Sequence, residues 1–332
     1  MSDSRKVFAF DFFLLKKERL LLPLFLILLL ACLLYALSAF YFPAPALEIP
    51  ERAQALSSYQ GRVNFLDDLL ASGQLSPSET VAVQGEIRLL SFYLSTGSIK
   101  TDYVNPGELT SLGSPYQGVA FAFKNIAVAF PFMAFFAPLV FYRTLFSHGA
   151  MGAKAFAMAP LEKKTAFRAN ALFAFGITAI PFLLFFLVSL GGILLSGNPQ
   201  ILYDFGAAYQ AIPSSFLLLP LALSLAAYTL FLWGVSFLAY CLFHQDYIAL
   251  FSPALLSLIF VALFALLSLS LPNLNVLESN PRAAYFPLLS LYHLAFYPLS
   301  YPYYLALGLH LFAAGLLFAM TYRHYAKEGF PL

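Results

Sequence analysis

The chain has 332 residues, of which 61% are hydrophobic and 10% charged, with a formal net charge of +2 and a mean hydropathy of +0.79. Soluble domains carry about 25% charged residues, so this composition excludes a water-covered globule and calls for a bilayer as solvent. Cys32 and Cys241 both fall in apolar runs and are expected to behave as small apolar residues, without a disulfide framework or metal spacing.

The chain opens with "KVFAFDFFLLKKERL", in which Val7, Phe8, Phe10 and Phe12 to Leu15 precede Lys16, Lys17 and Arg19. Residues 1–19 read as a short helix lying in the membrane interface with its basic residues among the headgroups; a disordered tail is the alternative. Six runs of spanning length follow, near Leu20–Phe42, Val119–Tyr142, Ala171–Leu195, Phe216–Phe243, Ile248–Leu271 and Tyr303–Tyr322. Prolines inside them (Pro23, Pro131, Pro138, Pro181, Pro220, Pro253) are tolerated because neighbouring helices satisfy the freed carbonyls.

Between the first two spans, residues 43–117 read as a helical insert. "SPSETVAVQGEIRLLSFYL" has Ser76 as N-cap, Pro77 at the first helical position and Glu79 closing a capping box, with Gly97 as the stop. "YQGRVNFLDDLLASG" places Val63, Leu66, Leu69 and Leu70 on one side, so the two stretches form an antiparallel helix pair expected to pack on the ends of the spans.

Lys124 is the one charge inside a span. Two readings stay open for it: snorkelling to the outer headgroups, or lining an external exit that attracts an anionic part of a substrate. Residues 272–302, with five prolines and many aromatics, read as short helices dipping into the outer leaflet. Residues 323–332 form a tail. His310 in the last span is expected to be a hydrogen-bonded packing residue.

Twelve Lys and Arg lie before the first span, in the loop 143–170 and in the tail, against five on the alternate side. Both termini and that loop are therefore expected in the cytoplasm of a multi-pass cell-membrane protein. The chain has no phosphate-cradling P-loop, no H-E-x-x-H and no G-x-S-x-G. No Asp or Glu falls inside the six spans, which argues against a proton- or sodium-coupled carrier. Nor is there a basic, aromatic-interleaved patch for nucleic acid.

The loop "GAKAFAMAPLEKKTAFRAN", Gly152 to Asn170, interrupts the oily runs with Lys154, Glu162, Lys163, Lys164 and Arg168. Topology needs only the charges; Phe156, Met158 and Leu161 offer an apolar surface of the helix-in-groove kind. Gly152, "AFAMA", Pro160, Lys163, Lys164 and Arg168, together with the six spans, the interfacial helix and the insert, resemble the type-2 ABC-transporter permease family. One departure is that "RTLFSHGAMG" lacks the acidic residue that often precedes the glycine in that family.

The resemblance implies an all-α membrane protein, 118–322 forming a five-span permease core, that acts as the membrane subunit of an ATP-driven exporter of a peptide, lipid or drug. It implies a separate P-loop ATPase subunit that binds ATP and magnesium, a second permease subunit and surrounding membrane lipid. It also implies that Phe156, Met158, Pro160, Leu161, Glu162, Lys163, Lys164 and Arg168 form the coupling helix. A non-transporting immunity or sensor subunit, and an unrelated polytopic membrane protein, are the competing expectations.

Overall fold

A computed structural model describes residues 3–17, 21–41, 51–104, 116–145, 163–204, 208–243, 247–249, 251–256, 258–259 and 301–328. The helices are α1 (Asp3–Lys17), α2 (Leu21–Tyr41), α3 (Arg52–Ala71), α4 (Pro77–Thr96), α5 (Gln117–Leu145), α6 (Lys163–Leu195), α7 (Leu218–Phe243) and α8 (Tyr301–Glu328). Between α6 and α7 lies a hairpin of β1 (Gln200–Asp204) and β2 (Tyr209–Pro213). Among the described residues, four segments are long and apolar enough to cross a membrane: Gln117–Val140, Phe167–Leu195, Ser214–Ala239 and Tyr303–His324. A shorter apolar stretch, Phe25–Tyr41, fills most of α2. The chain is a helical membrane protein. Of the expected fifth span Ile248–Leu271, residues 248–249, 251–256 and 258–259 are helical and the remainder lies outside the described residues, as does the aromatic segment 272–300.

The bundle is organised around α5. Its spanning window is 78% buried, against 28% for Phe167–Leu195 and 22% for Tyr303–His324. The outer helices turn Leu172, Leu183, Leu187, Leu219 and Phe312 outward. Apolar burial supplies little drive between helices in lipid, so close contact depends on small residues and shape. That is how α5 meets α6: a Cβ on Gly118 would overlap Ser196 Oγ and lie 2.6 Å from Gly192 O, and one on Gly192 would lie 2.9 Å from Gly118 O. On α7, Gly234 sits in the same way against Leu317 of α8, whose Cβ would be 2.6 Å from an added methyl. Phe25 of α2 packs edge-on to Phe132 of α5, with ring centroids 5.6 Å apart. Tyr303 of α8 donates from its hydroxyl to Pro220 O at 3.1 Å.

The helix pair forms as its caps dictate. Glu79 N–H reaches Ser76 Oγ at 3.4 Å, and Ser76 N–H donates to Glu79 Oε2 at 2.8 Å. The Ser76 side-chain hydrogen bond, and then the backbone one, hold the Glu79 carboxyl below its ordinary range. Gly97 ends α4 in the left-handed region at φ 62°, where a β-carbon is unfavourable. Val63 and Leu66 of α3 meet Leu90 and Tyr93 of α4 in a small core, while Leu69 and Leu70 are only half-buried. Ser76→Ala is expected to weaken the start of α4 by about 1 kcal/mol, read as faster hydrogen exchange confined to its first turn.

The hairpin is the element that sequence reasoning missed. Its strands have five residues each, too short for alternation to stand out, and only the turn residues Gly197, Asn198 and Pro199 ahead of them signal a break. It joins the insert to the bundle. Ile201 is fully buried in the bundle core together with Val104, whereas its neighbour Leu202 packs on the α3–α4 core. Alternate side chains of one strand point to opposite faces, so β1 serves both cores. Val104 N–H donates to Gln200 O at 3.0 Å and seals the junction. This end of the bundle is called the hairpin end below; the end where α5 finishes and α6 begins is the loop end.

Candidate functional site

Toward the middle of α5, α6 and α7, residues at helical spacing leave a recess. Met133 and Ala137 come from α5, Ala174, Thr178 and Phe182 from α6, and Ala226, Thr229 and Trp233 from α7. The space is about 280 Å³. It exists because alanines stand where larger side chains would close the helices together. Both hydroxyls on its wall are already used: Thr178 donates to Ala174 O and Thr229 to Leu225 O, each at 2.7 Å. No lining residue is titratable. The groove therefore suits an apolar molecule or the apolar part of an amphipathic one.

Trp233, the single tryptophan of the chain, anchors one wall. Its ring lies 5.0 Å from that of Phe175 and stacks at 5.3 Å on Phe318 of α8. Phe167 continues the aromatic chain, 5.7 Å from Phe318 and 5.6 Å from Tyr322. These rings link α6, α7 and α8 from the groove toward the loop end, so a shift of one helix presses on the others through rigid, close-packed surfaces.

Nearer the hairpin end lies a polar layer. Asn125 of α5 donates to Phe185 O and to Ser189 Oγ of α6, both at 2.9 Å, and Ser189 donates to Ala122 O at 3.0 Å. Lys124 is 1% exposed. It is turned to α2, where Nζ donates to Ser38 Oγ at 3.3 Å and stands 5.9 Å from the centre of the Tyr35 ring. It lines neither the groove nor the larger cavity of about 690 Å³ between α2, α5 and α6, whose walls include Phe40, Gln117, Phe121 and Ser196. Asn125→Ala is expected to lower stability by about 0.6 kcal/mol. The Asn125→Ala/Ser189→Ala cycle should assign most of that change to the pair.

Of the residues expected to couple the chain to an ATPase, Phe156, Met158, Pro160, Leu161 and Glu162 lie outside the described residues. Lys163 is the first residue of α6, and Lys164 and Arg168 are exposed on its first turns. The topology adds one relation: residues 146–162 connect α5 to α6, two of the three groove walls. His310 is buried, with Nδ1 2.7 Å from Ala306 O and its ring edge-on to Phe231, while Nε2 has no hydrogen-bond partner among the described residues. Among the described residues no group of three His, Cys, Asp or Glu is placed to hold a metal.

Sequence reasoning missed the groove residues because each is an ordinary residue of a span, apolar or a threonine bonded to its own helix; only the lone tryptophan set one of them apart. Asn125 was passed over as well, although an amide beside Lys124, the one charge inside the expected spans, was a signal that could have found it. No protein-family model, curated protein or solved structure matches the chain.

Proposed function

We propose that the protein is the permease subunit of an ATP-driven transporter of the ABC type, moving an apolar or amphipathic cargo through the groove between α5, α6 and α7. The observation that carries this reading is the link between groove and loop: the segment 146–162, flanked by Arg143 on one side and Lys163, Lys164 and Arg168 on the other, joins two groove walls. A partner pulling on that segment would move both walls together. The apolar lining supports a lipid-like, peptide or drug-like cargo, and the excess of Lys and Arg at the loop end supports a cytoplasmic position for that end. In this reading a P-loop ATPase subunit docks on Phe156, Met158, Pro160 and Leu161, with Lys163, Lys164 and Arg168 against its acidic side chains. ATP and magnesium belong to that subunit, and a second permease completes the transporter.

A second reading, a sensor or immunity subunit of such a complex, is favoured by the strap of β1 and Val104 between the α3–α4 pair and the bundle core. It would carry a contact on the helix pair into the membrane. Mild-detergent purification from native membranes tests both: a P-loop ATPase should be recovered with the chain. Cargo-stimulated ATP hydrolysis with vesicle transport then selects the permease reading. Recovery of the chain without an ATPase would remove both.

A further inference from the structure

Helix α1 lies against α6, with Val7 and Ala169 forming a small buried contact and Phe8 edge-on to Phe173 at 5.7 Å. Its outward face carries Phe12 and Phe13. Within the buried face sits Asp11, 1% exposed, and neither carboxylate oxygen has a hydrogen-bond partner among the described residues. An ionised carboxylate in such a place is strongly disfavoured, because it loses water and gains nothing in exchange.

Among the described side chains, no charged group pairs with the Asp11 carboxylate. On α1, Arg5 and Lys6 point outward, and on α6, Lys164 and Arg168 are exposed. Helix α8, which reaches α6 through Phe167, carries Arg323, His324 and Lys327 at the same end. Burial is the cause that pushes the Asp11 carboxyl up, from an ordinary 3.8 to about 8.

We propose that α1 is a proton-linked clasp on α6, held to the bundle while Asp11 carries a proton and released when Asp11 ionises. The carboxyl is ionised at neutral pH once α1 leaves α6, so docking takes up a proton. The sign follows: a group raised in the docked state favours docking at low pH and opposes it as pH rises. The docking constant falls about tenfold per pH unit between 3.8 and about 8 and is level outside that window. The clasp bears on the groove, since Phe173 precedes the groove residues Ala174 and Phe175. The inference itself stands without any transport function.

The test uses the full chain in nanodiscs of zwitterionic lipid, with Cys32→Ala and Cys241→Ala. Spin labels go at Phe12→Cys and Leu172→Cys, which are 62% and 63% exposed. The short α1–α6 distance should dominate at the acid end of a series from pH 5 to 9 and decline toward pH 8. Asp11→Asn should keep the short distance at every pH. Val7→Ala, which thins the apolar contact, should move the decline to lower pH. A distance that does not change with pH in both the parent and Val7→Ala overturns the proposal, as does an Asp11→Asn protein that titrates like the parent.

Discussion

Gly118→Ala will lower the thermal stability of this protein sharply, and Gly191→Ala will not. Both changes put a methyl on a helix where alanine is intrinsically favoured over glycine by about 1 kcal/mol. Around Gly191 nothing lies within 4 Å of the added carbon, so only that favourable term acts. Around Gly118 the carbon would overlap Ser196 Oγ and come within 2.6 Å of a backbone oxygen, Gly192 O. The serine can rotate away; the carbonyl can move only with α6. The helices must then separate at this contact, and overpacking of this kind costs about 1–3 kcal/mol. The clash outweighs the propensity gain. Trp233 fluorescence during heating reads the result without an added label. Equal melting of Gly118→Ala and the parent would show that α5 and α6 do not meet in this way.

The second large effect belongs to the groove. Ala226→Trp places an indole in a space of about 280 Å³ that alanines keep open. If the proposed transport function holds and cargo occupies this space, its stimulation of ATP hydrolysis by the proposed complex should fall at least tenfold, a loss of about 1.4 kcal/mol. Recovery of the ATPase subunit should not change, because its proposed docking segment lies outside the groove. Leu219→Trp, at a position on α7 that is 63% exposed, controls for a bulky residue on the same helix. Thermal unfolding of both variants shows whether the indole has merely spoiled packing. An Ala226→Trp protein that folds and keeps full stimulation would move the cargo path elsewhere.

The helix pair shows how far local chemistry reaches. Ser76, Pro77, Glu79 and Gly97 were legible because a cap is made by residues within one turn of each other, whatever lies farther away. Leu66 and Leu90 were legible as a core face for a similar reason: water surrounds the rest of that pair, so apolar spacing marks the inside. Within the spans that signal disappears. Phe123 is fully buried while Leu172 is 63% exposed, and both are apolar residues on apolar helices. Lipid receives either one, so composition cannot tell a packed face from an outward one.

The candidate site was legible only at its edges. The basic loop declared itself by charge, but the groove it joins is made of alanines, threonines and aromatic rings drawn from α5, α6 and α7. Asp11 stands in the sequence as one acid among phenylalanines but was not singled out, because its burial follows only from the docking of α1 on α6.

Sequence alone determined that the chain belongs in a membrane, where its long apolar runs lie, and how α4 begins and ends. Each depends on composition or on neighbours along the chain. Tertiary structure alone decided that Gly118 meets Gly192, that Lys124 turns to Ser38, that β1 straps the helix pair to the bundle and that Asp11 is shut away from water. Those outcomes depend on which helices touch, and in a uniformly apolar bundle that choice is made by shape and a few polar contacts between residues far apart in the chain.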